Sequence, residues 1–211
     1  MRAAAPSHRI TRKTETRPAA NGKSKPRNVF WIYVALFITT LAVYSEVRRF
    51  DFVNYDDPEY VTGNARVRQG VTVEGVRWAF TSVEAANWFP VTRLSHMLDA
   101  QLFRLDSGMH HLTNVLIHAL ATLFLFAFLD RATQARWPSA FVAFVFALHP
   151  LHVESVAWVA ERKDVLGAFF WFLTLWAYVR YVERPGWTRY LLVLGAFCLG
   201  LLSKPMIVTL P

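Results

Sequence analysis

The sequence predicts an all-α polytopic membrane protein, with about five transmembrane helices and a large first extracytoplasmic loop of amphipathic helices. Three observations predict it. Of 211 residues, 54% are apolar, 15% aromatic and only 18% charged, whereas soluble domains carry about 25% charged residues. Several stretches without Lys, Arg, Asp or Glu approach the roughly 20 residues that cross a bilayer core as a helix. The single cysteine, Cys198, lies inside one such stretch, so no intramolecular disulfide braces the chain and a small disulfide scaffold is excluded.

The net charge of +8 sits at one end. Residues 1–28 hold eight Lys/Arg against Glu15, and the rest of the chain adds only +1. This leader is rich in Pro, Ser and Thr, nearly free of apolar residues, and expected to be a disordered tail. A basic segment abutting an apolar span marks a cytoplasmic end and gains from anionic lipid. No basic stripe with interleaved aromatics follows, so a nucleic-acid partner is not expected. Further spans follow and no small-x-small site comes after Thr40, which favours an uncleaved anchor over a signal peptide.

Residues 29–211 form the membrane module. The first span is expected over 29–45. Residues 48–109 then hold seven Lys/Arg and eight Asp/Glu, with apolar residues at helical spacing (Val73, Val76, Trp78, Ala79, Phe80; Leu94, Met97, Leu98, Leu102, Phe103). Short helices lying on the membrane surface are the expectation. Charge-free runs predict a second span over 107–129 and a third over 137–153, with Pro138 near its start. Two shorter ones follow over 165–179 and 190–203, joined by a turn at Pro185-Gly186 whose aromatics suit the interface.

With the N-terminus inside, loops 130–136 and 180–189 carry five Arg against Asp130 and Glu183, while 48–109 and 154–164 each sum to −1. The positive-inside rule then places the large loop and the 154–164 patch together outside. Arg48-Arg49 runs against the rule. The chain stops at Leu210-Pro211 just past a span, as the N-terminal part of a longer protein would. The leader's composition favours a bacterial inner membrane over an endoplasmic reticulum membrane.

Three segments carry groups suited to chemistry. In Phe52-Val53-Asn54-Tyr55-Asp56-Asp57-Pro58, adjacent carboxylates can be driven to different pKa values by their surroundings, leaving one as a base; the alternative is an Asx turn before Pro58. In His149-Pro150-Leu151-His152-Val153-Glu154, continued by Glu161-Arg162-Lys163-Asp164, a helix over 151–164 would place Glu154 and Glu161 within about 20° and Asp164 about 60° away. The H-x-x-H-x-E pattern lacks the i, i+4 histidine pair of a helical metal site, so no metal is expected, and the alternative is a polar mouth at the interface. In Gly108-Met109-His110-His111-Leu112-Thr113-Asn114, the histidines are candidates for phosphate binding or proton relay; Thr113, Asn114 and His118 also suit hydrogen bonds between helices. Arg93 and Lys204 are cations suited to an anionic headgroup. No G-x-x-x-x-G-K-[ST], G-x-G-x-x-G or G-x-S-x-G occurs, so nucleotide hydrolysis and serine-hydrolase chemistry have no support.

Taken together, Asn54-Tyr55-Asp56-Asp57, the segment Asn87 to His96, Gly108 to His118, the run Ala147 to Leu166 and Leu199 to Met206 resemble one family. It is the membrane portion of the transmembrane and tetratricopeptide repeat-containing proteins and their bacterial relatives, which is similar to the GT-C glycosyltransferases. That resemblance implies a protein O-mannosyltransferase-like activity, with a polyprenyl-phosphate-linked sugar as donor and a protein or glycan hydroxyl as acceptor. It implies an acid or base at Asp56 or Asp57. Donor-phosphate or acceptor contacts fall to Arg93, His110, His111, Glu154, Glu161, Arg162, Lys163 and Lys204. The family carries more spans and then helical repeats, which this chain does not reach. The rival expectation is a non-catalytic membrane anchor for a repeat scaffold, and a third is a transporter or sensor using the His/Glu patch as a relay.

Overall fold

A computed structural model describes residues 26–83 and 88–210. Most of the basic leader, Asn87 and Pro211 lie outside the described residues, and with them the expectation of a disordered tail. Every regular element among the described residues is helical.

The central helix is α5 (Ser107–Thr133). The Asp106 side chain caps its start by accepting the Met109 N–H at 3.1 Å, and Gln134 ends it in the left-handed region at φ 56°. Its 27 residues rise about 40 Å, more than the roughly 30 Å of a bilayer core. Around α5 pack α1 (Pro26–Val43), α6 (Arg136–Leu148) and α8 (Arg162–Glu183), and α9 (Trp187–Ser203) packs on α8. Among the described residues, two segments, Ser107–Thr133 and Val159–Glu183, are long and apolar enough to cross a membrane; Val29–Val43 and Trp187–Ser203 are apolar but shorter.

The run expected as one span over 137–153 is broken. α6 stops at Leu148, His149 is extended, and Pro150–Ala157 continues at an angle of 49°. Pro150 is the cause, because its ring disfavours helical geometry at the residue before it. The second half contains α7 (Val153–Ala157). Together the two halves are a third candidate span, or a re-entrant hairpin.

Helix α1 runs antiparallel to α5. Tyr33 stacks edge-on against Phe126 at 5.0 Å, and one end later Tyr44 meets His118 at 5.7 Å. The start of α1 and the turns 130–136 and 180–189 therefore share one end of the bundle, the turn end. Residues 44–106 and 149–161 share the other, the loop end. Gly108 is required where α5 begins there: a Cβ would run into the Arg48 carbonyl oxygen, so no larger residue lets this helix meet the Ser45–Arg49 turn. The outer surfaces of α6 and α9 expose Phe141, Val142, Phe144, Leu191, Leu192 and Leu194, an apolar belt suited to lipid.

Of the loop-end helices, α2 (Ala65–Arg68) and α3 (Val73–Thr81) both pack on α4 (Pro90–Phe103). Asn64 and Thr72 cap α2 and α3 through their side chains. The apolar faces then close on Val61, Val67, Ala79, Met97, Ala100 and Val159. Fully burying such an aliphatic side chain contributes about 1.5–3 kcal/mol, while Val73, Phe80, Leu98 and Leu102 of the same helices stay exposed.

Candidate functional site

Asp56 and Asp57 are neighbours with opposite roles in the structure. The Asp57 carboxylate is fully buried; one oxygen accepts the Val53 N–H at 2.7 Å and the other accepts the Ala160 N–H at 2.8 Å. Burial raises its pKa above the usual carboxylate range, and these two N–H groups, then His111, pull it partly back. Asp56 is half-buried, and its carboxylate has no hydrogen-bond or ion-pair partner among the described residues. Its main-chain oxygen accepts from Glu59 and Tyr60, both at 3.0 Å, which opens the helical turn Pro58–Thr62. The couplet thus holds one anchor and one presented carboxylate.

Ala160 belongs to the 154–164 patch, so the first loop and that patch meet directly. The patch is not one helix. Trp158 is extended (φ −95°, ψ 125°) between α7 and the turn Val159–Glu161, so the common face expected for Glu154, Glu161 and Asp164 does not form. Glu154 is exposed, Glu161 pairs with Lys163 at 2.6 Å, and Asp164 pairs with Lys204 at 2.6 Å.

Behind them lies a buried polar core. Arg162, with no exposed surface, donates from Nη2 to Asp99 Oδ2 at 2.6 Å and to the His110 carbonyl at 2.9 Å, and from Nε to Asn114 Oδ1. Asn114 in turn donates to the Trp158 carbonyl at 2.8 Å, and Thr113 donates to Asp99 at 3.1 Å. A guanidinium taken out of water needs this saturation, since an unpaired buried charge costs several kcal/mol. The network fixes α4, α5 and the start of α8 in one geometry. His96 joins the same face fully buried, with neither ring nitrogen hydrogen-bonded; burial first, then Arg162, His110 and Lys163, depress its pKa far below the ordinary imidazole value.

The other candidate residues divide in the same way. Arg93 is buried, its guanidinium over Trp78 at 4.8 Å and Phe89 at 5.5 Å, donating to the Ser82 carbonyl at 2.7 Å. His110 is buried and its Nε2 donates to the Arg104 carbonyl at 2.9 Å. Lys163 and Lys204 remain partly open, at 20% and 28% side-chain exposure. Lys204 and Asp164 stand at the rim of a cavity of about 400 Å³ whose apolar wall, Gly167, Trp171 and Phe172, follows α8. A second cleft, of about 700 Å³, lies between residues 49–55 and α7; His111, Glu154 and the ring pair Tyr55–Trp158, 6.1 Å apart, line it. His149 and His152 point elsewhere: Nδ1 of His149 accepts the Leu151 N–H, and His152 packs on Phe146 at 4.7 Å. Among the described residues, no group of three or more His, Cys, Asp or Glu side chains is placed to hold a metal ion.

Asp99 is the partner that the sequence reading passed over. Its signal is present: Thr92, His96 and Asp99 recur at i, i+4 and i+7 and all are buried on α4, a polar stripe on a helix face that periodicity marks as inward.

An apolar helical bundle with Asp56, Asp57, Glu154, Lys163 and Lys204 gathered at its loop end has the build of an integral membrane protein. The chain belongs to the dolichyl-phosphate-mannose-protein mannosyltransferase family, whose model matches residues 90–211. It is 31% identical over 153 residues to the protein O-mannosyl-transferase TMTC1 of Mus musculus, covering 67% of this chain and 16% of that protein. It is 28% identical over 196 residues to the protein O-mannosyl-transferase Tmtc2 of Drosophila melanogaster, covering 84% of this chain and 20% of that protein. The chain thus spans a fifth or less of the length of these relatives. They are the kind of protein that the motif resemblance implied. No solved structure matches the chain.

Proposed function

We propose that this chain is the membrane module of a protein O-mannosyltransferase-like enzyme that moves a sugar from a polyprenyl-phosphate carrier to an acceptor hydroxyl. The observation that carries the reading is the division of labour in the couplet: Asp57 holds the loop to Ala160, and Asp56 stands half-open without a partner. Asp56 is the base. Its carboxylate takes the proton of the acceptor hydroxyl as that oxygen attacks the anomeric carbon, and the bond from that carbon to the phosphate oxygen breaks with inversion. The electron pair leaves with the polyprenyl phosphate, whose charge Lys204 and Lys163 stabilise. Arg162 and Arg93, saturated inside the protein, position these groups instead of touching the phosphate.

Glu154, His111 and the Tyr55–Trp158 pair form the acceptor side of the site. All five apolar helices cross the bilayer, α1 and α9 with their ends in the headgroup layer and α6 as a bent span. The N-terminus is cytoplasmic, the loop end extracytoplasmic, and the membrane is a bacterial inner membrane.

The test is transfer from a polyprenyl-phosphate sugar by the full-length protein in membranes. Asp56→Asn abolishes transfer while insertion and thermal stability stay at the wild-type level. Transfer retained in Asp56→Asn removes the proposed base and favours the non-catalytic anchor.

A further inference from the structure

We propose that the turn joining α8 to α9 is a binding site for the phosphate-bearing headgroup of an anionic phospholipid. The observations are a charge imbalance and an aromatic slot beside it. At the turn end, residues 130–136 and 180–189 hold five arginines against Asp130 and Glu183. Both acids are spoken for by arginines of the α5–α6 hairpin. Arg131 grips Glu183 with three hydrogen bonds of 2.6 to 2.8 Å, and Arg136 lies 3.5 Å from Asp130. Three positive charges, Arg180, Arg184 and Arg189, are left on the α8–α9 turn.

Internal contacts hold these arginines without neutralising them. Arg180 lies over the Trp176 ring at 4.7 Å, and Arg189 donates to the Arg184 carbonyl at 2.5 Å. Neither contact removes charge, and a guanidinium keeps further donors in the fork geometry that fits a phosphate. Beside them, Tyr181, Pro185, Trp187 and Tyr190 border a slot of about 440 Å³. Trp187 stacks on Tyr190 at 5.5 Å and is 74% exposed. Amphipathic rings of this kind settle at headgroup depth. Below the slot, the exposed Leu191 and Leu194 continue the apolar surface of α9 toward the bilayer interior.

A free phosphate would use the arginines and leave the slot and the leucines without a role. A phospholipid uses all three, with the phosphate on the arginines, the glycerol region in the aromatic slot and an acyl chain along α9. The site is independent of the proposed transfer reaction and lies at the opposite end of the bundle.

The experiment is native mass spectrometry and thermal unfolding of the full chain, leader included, in phosphatidylcholine nanodiscs with and without phosphatidylglycerol. Wild-type protein retains phosphatidylglycerol in preference to phosphatidylcholine, and its Tm rises when phosphatidylglycerol is present. Retention falls about fivefold for each arginine replaced in the series Arg180→Gln, Arg184→Gln and Arg189→Gln. The loop-end control Arg66→Gln/Arg68→Gln retains the lipid as wild type does. Equal retention of both lipids by the wild type overturns the proposal, as does unchanged retention in the triple variant. Release of phosphatidylglycerol by millimolar inorganic phosphate would assign the arginines to a soluble anion and overturn it too. Should the triple variant fold poorly, the three single variants decide, and unchanged retention of phosphatidylglycerol in all of them overturns the site.

Discussion

The buried carboxylate of Asp57 accepts the backbone N–H of Ala160 at 2.8 Å, across 103 positions of sequence. One side chain therefore ties the first loop to the connection that launches α8. Its neighbour Asp56 is left at the surface of that junction, held in place by backbone it does not itself stabilise.

Replacing Asp57 with Ala strips two buried N–H groups of their acceptor, at about 1–3 kcal/mol each. Asp57→Ala lowers the Tm of the detergent-solubilised protein by several degrees, and Asp56→Ala leaves it unchanged. Equal losses in the two variants would contradict the assigned division of roles.

The Asp57 pKa is raised on folding, so its linkage runs opposite to that of a salt-bridged aspartate. Protonation favours the folded state; the contribution is full below the unfolded pKa and is lost as pH rises through the higher folded value. The Tm advantage of wild type over Asp57→Asn therefore shrinks as pH is raised from the acid side through that window. A gap that widens with pH would show the opposite shift.

Arg162 and Asp99 form a pair with the two side chains 0% and 4% exposed. Removing one partner strands a buried charge, at about 3–5 kcal/mol, whereas replacing both with apolar residues of similar volume avoids that penalty. Arg162→Met and Asp99→Leu each destabilise strongly, and the double variant is more stable than the sum of the single losses. Additive losses in a thermal or denaturant double-mutant cycle would mean the pair is not coupled.

The helices of the bundle were legible in the sequence because apolar runs without charge have one satisfactory arrangement in lipid. The placement of the loop beside the 154–164 patch was legible from loop charge. The bend at His149 was not, although Pro150 announced it, because an uninterrupted apolar run outweighed one backbone restriction. The break at Trp158 had no proline to mark it, and it separated three acids that a continuous helix would have aligned. The sequence offers Arg93 and Arg162 as cations at a mouth, and tertiary partners distant in sequence, Asp99 for Arg162 and Trp78 for Arg93, turn both inward. Composition cannot say which of several arginines finds a buried carboxylate.

His96 is fully buried beside Arg162 and carries a strongly depressed pKa. A depressed histidine contributes stability above its unfolded pKa of about 6.5, and that contribution is lost as pH falls toward the folded value. Wild-type Tm therefore declines below about pH 6.5, and His96→Phe, which cannot gain a proton, flattens that limb even if its overall stability differs. An unchanged acid limb in His96→Phe would move the titration to another group.

Lys204 offers the last test, because it can be removed without opening the core. It is 28% exposed and pairs with Asp164, 26% exposed, at the rim of the cavity that follows α8. The pair is only partly buried, so Lys204→Met lowers the Tm less than Arg162→Met does. If Lys204 holds the donor phosphate, the variant loses a charge-assisted hydrogen bond of about 1.5–3 kcal/mol, and the donor KM rises about 10- to 150-fold with a smaller change in kcat. Asp164→Asn moves the other way, since it frees the ammonium from its internal carboxylate and lowers the donor KM. A KM that both variants leave at the wild-type value would remove Lys204 from the donor site and leave Lys163 as the remaining partly exposed lysine at that end.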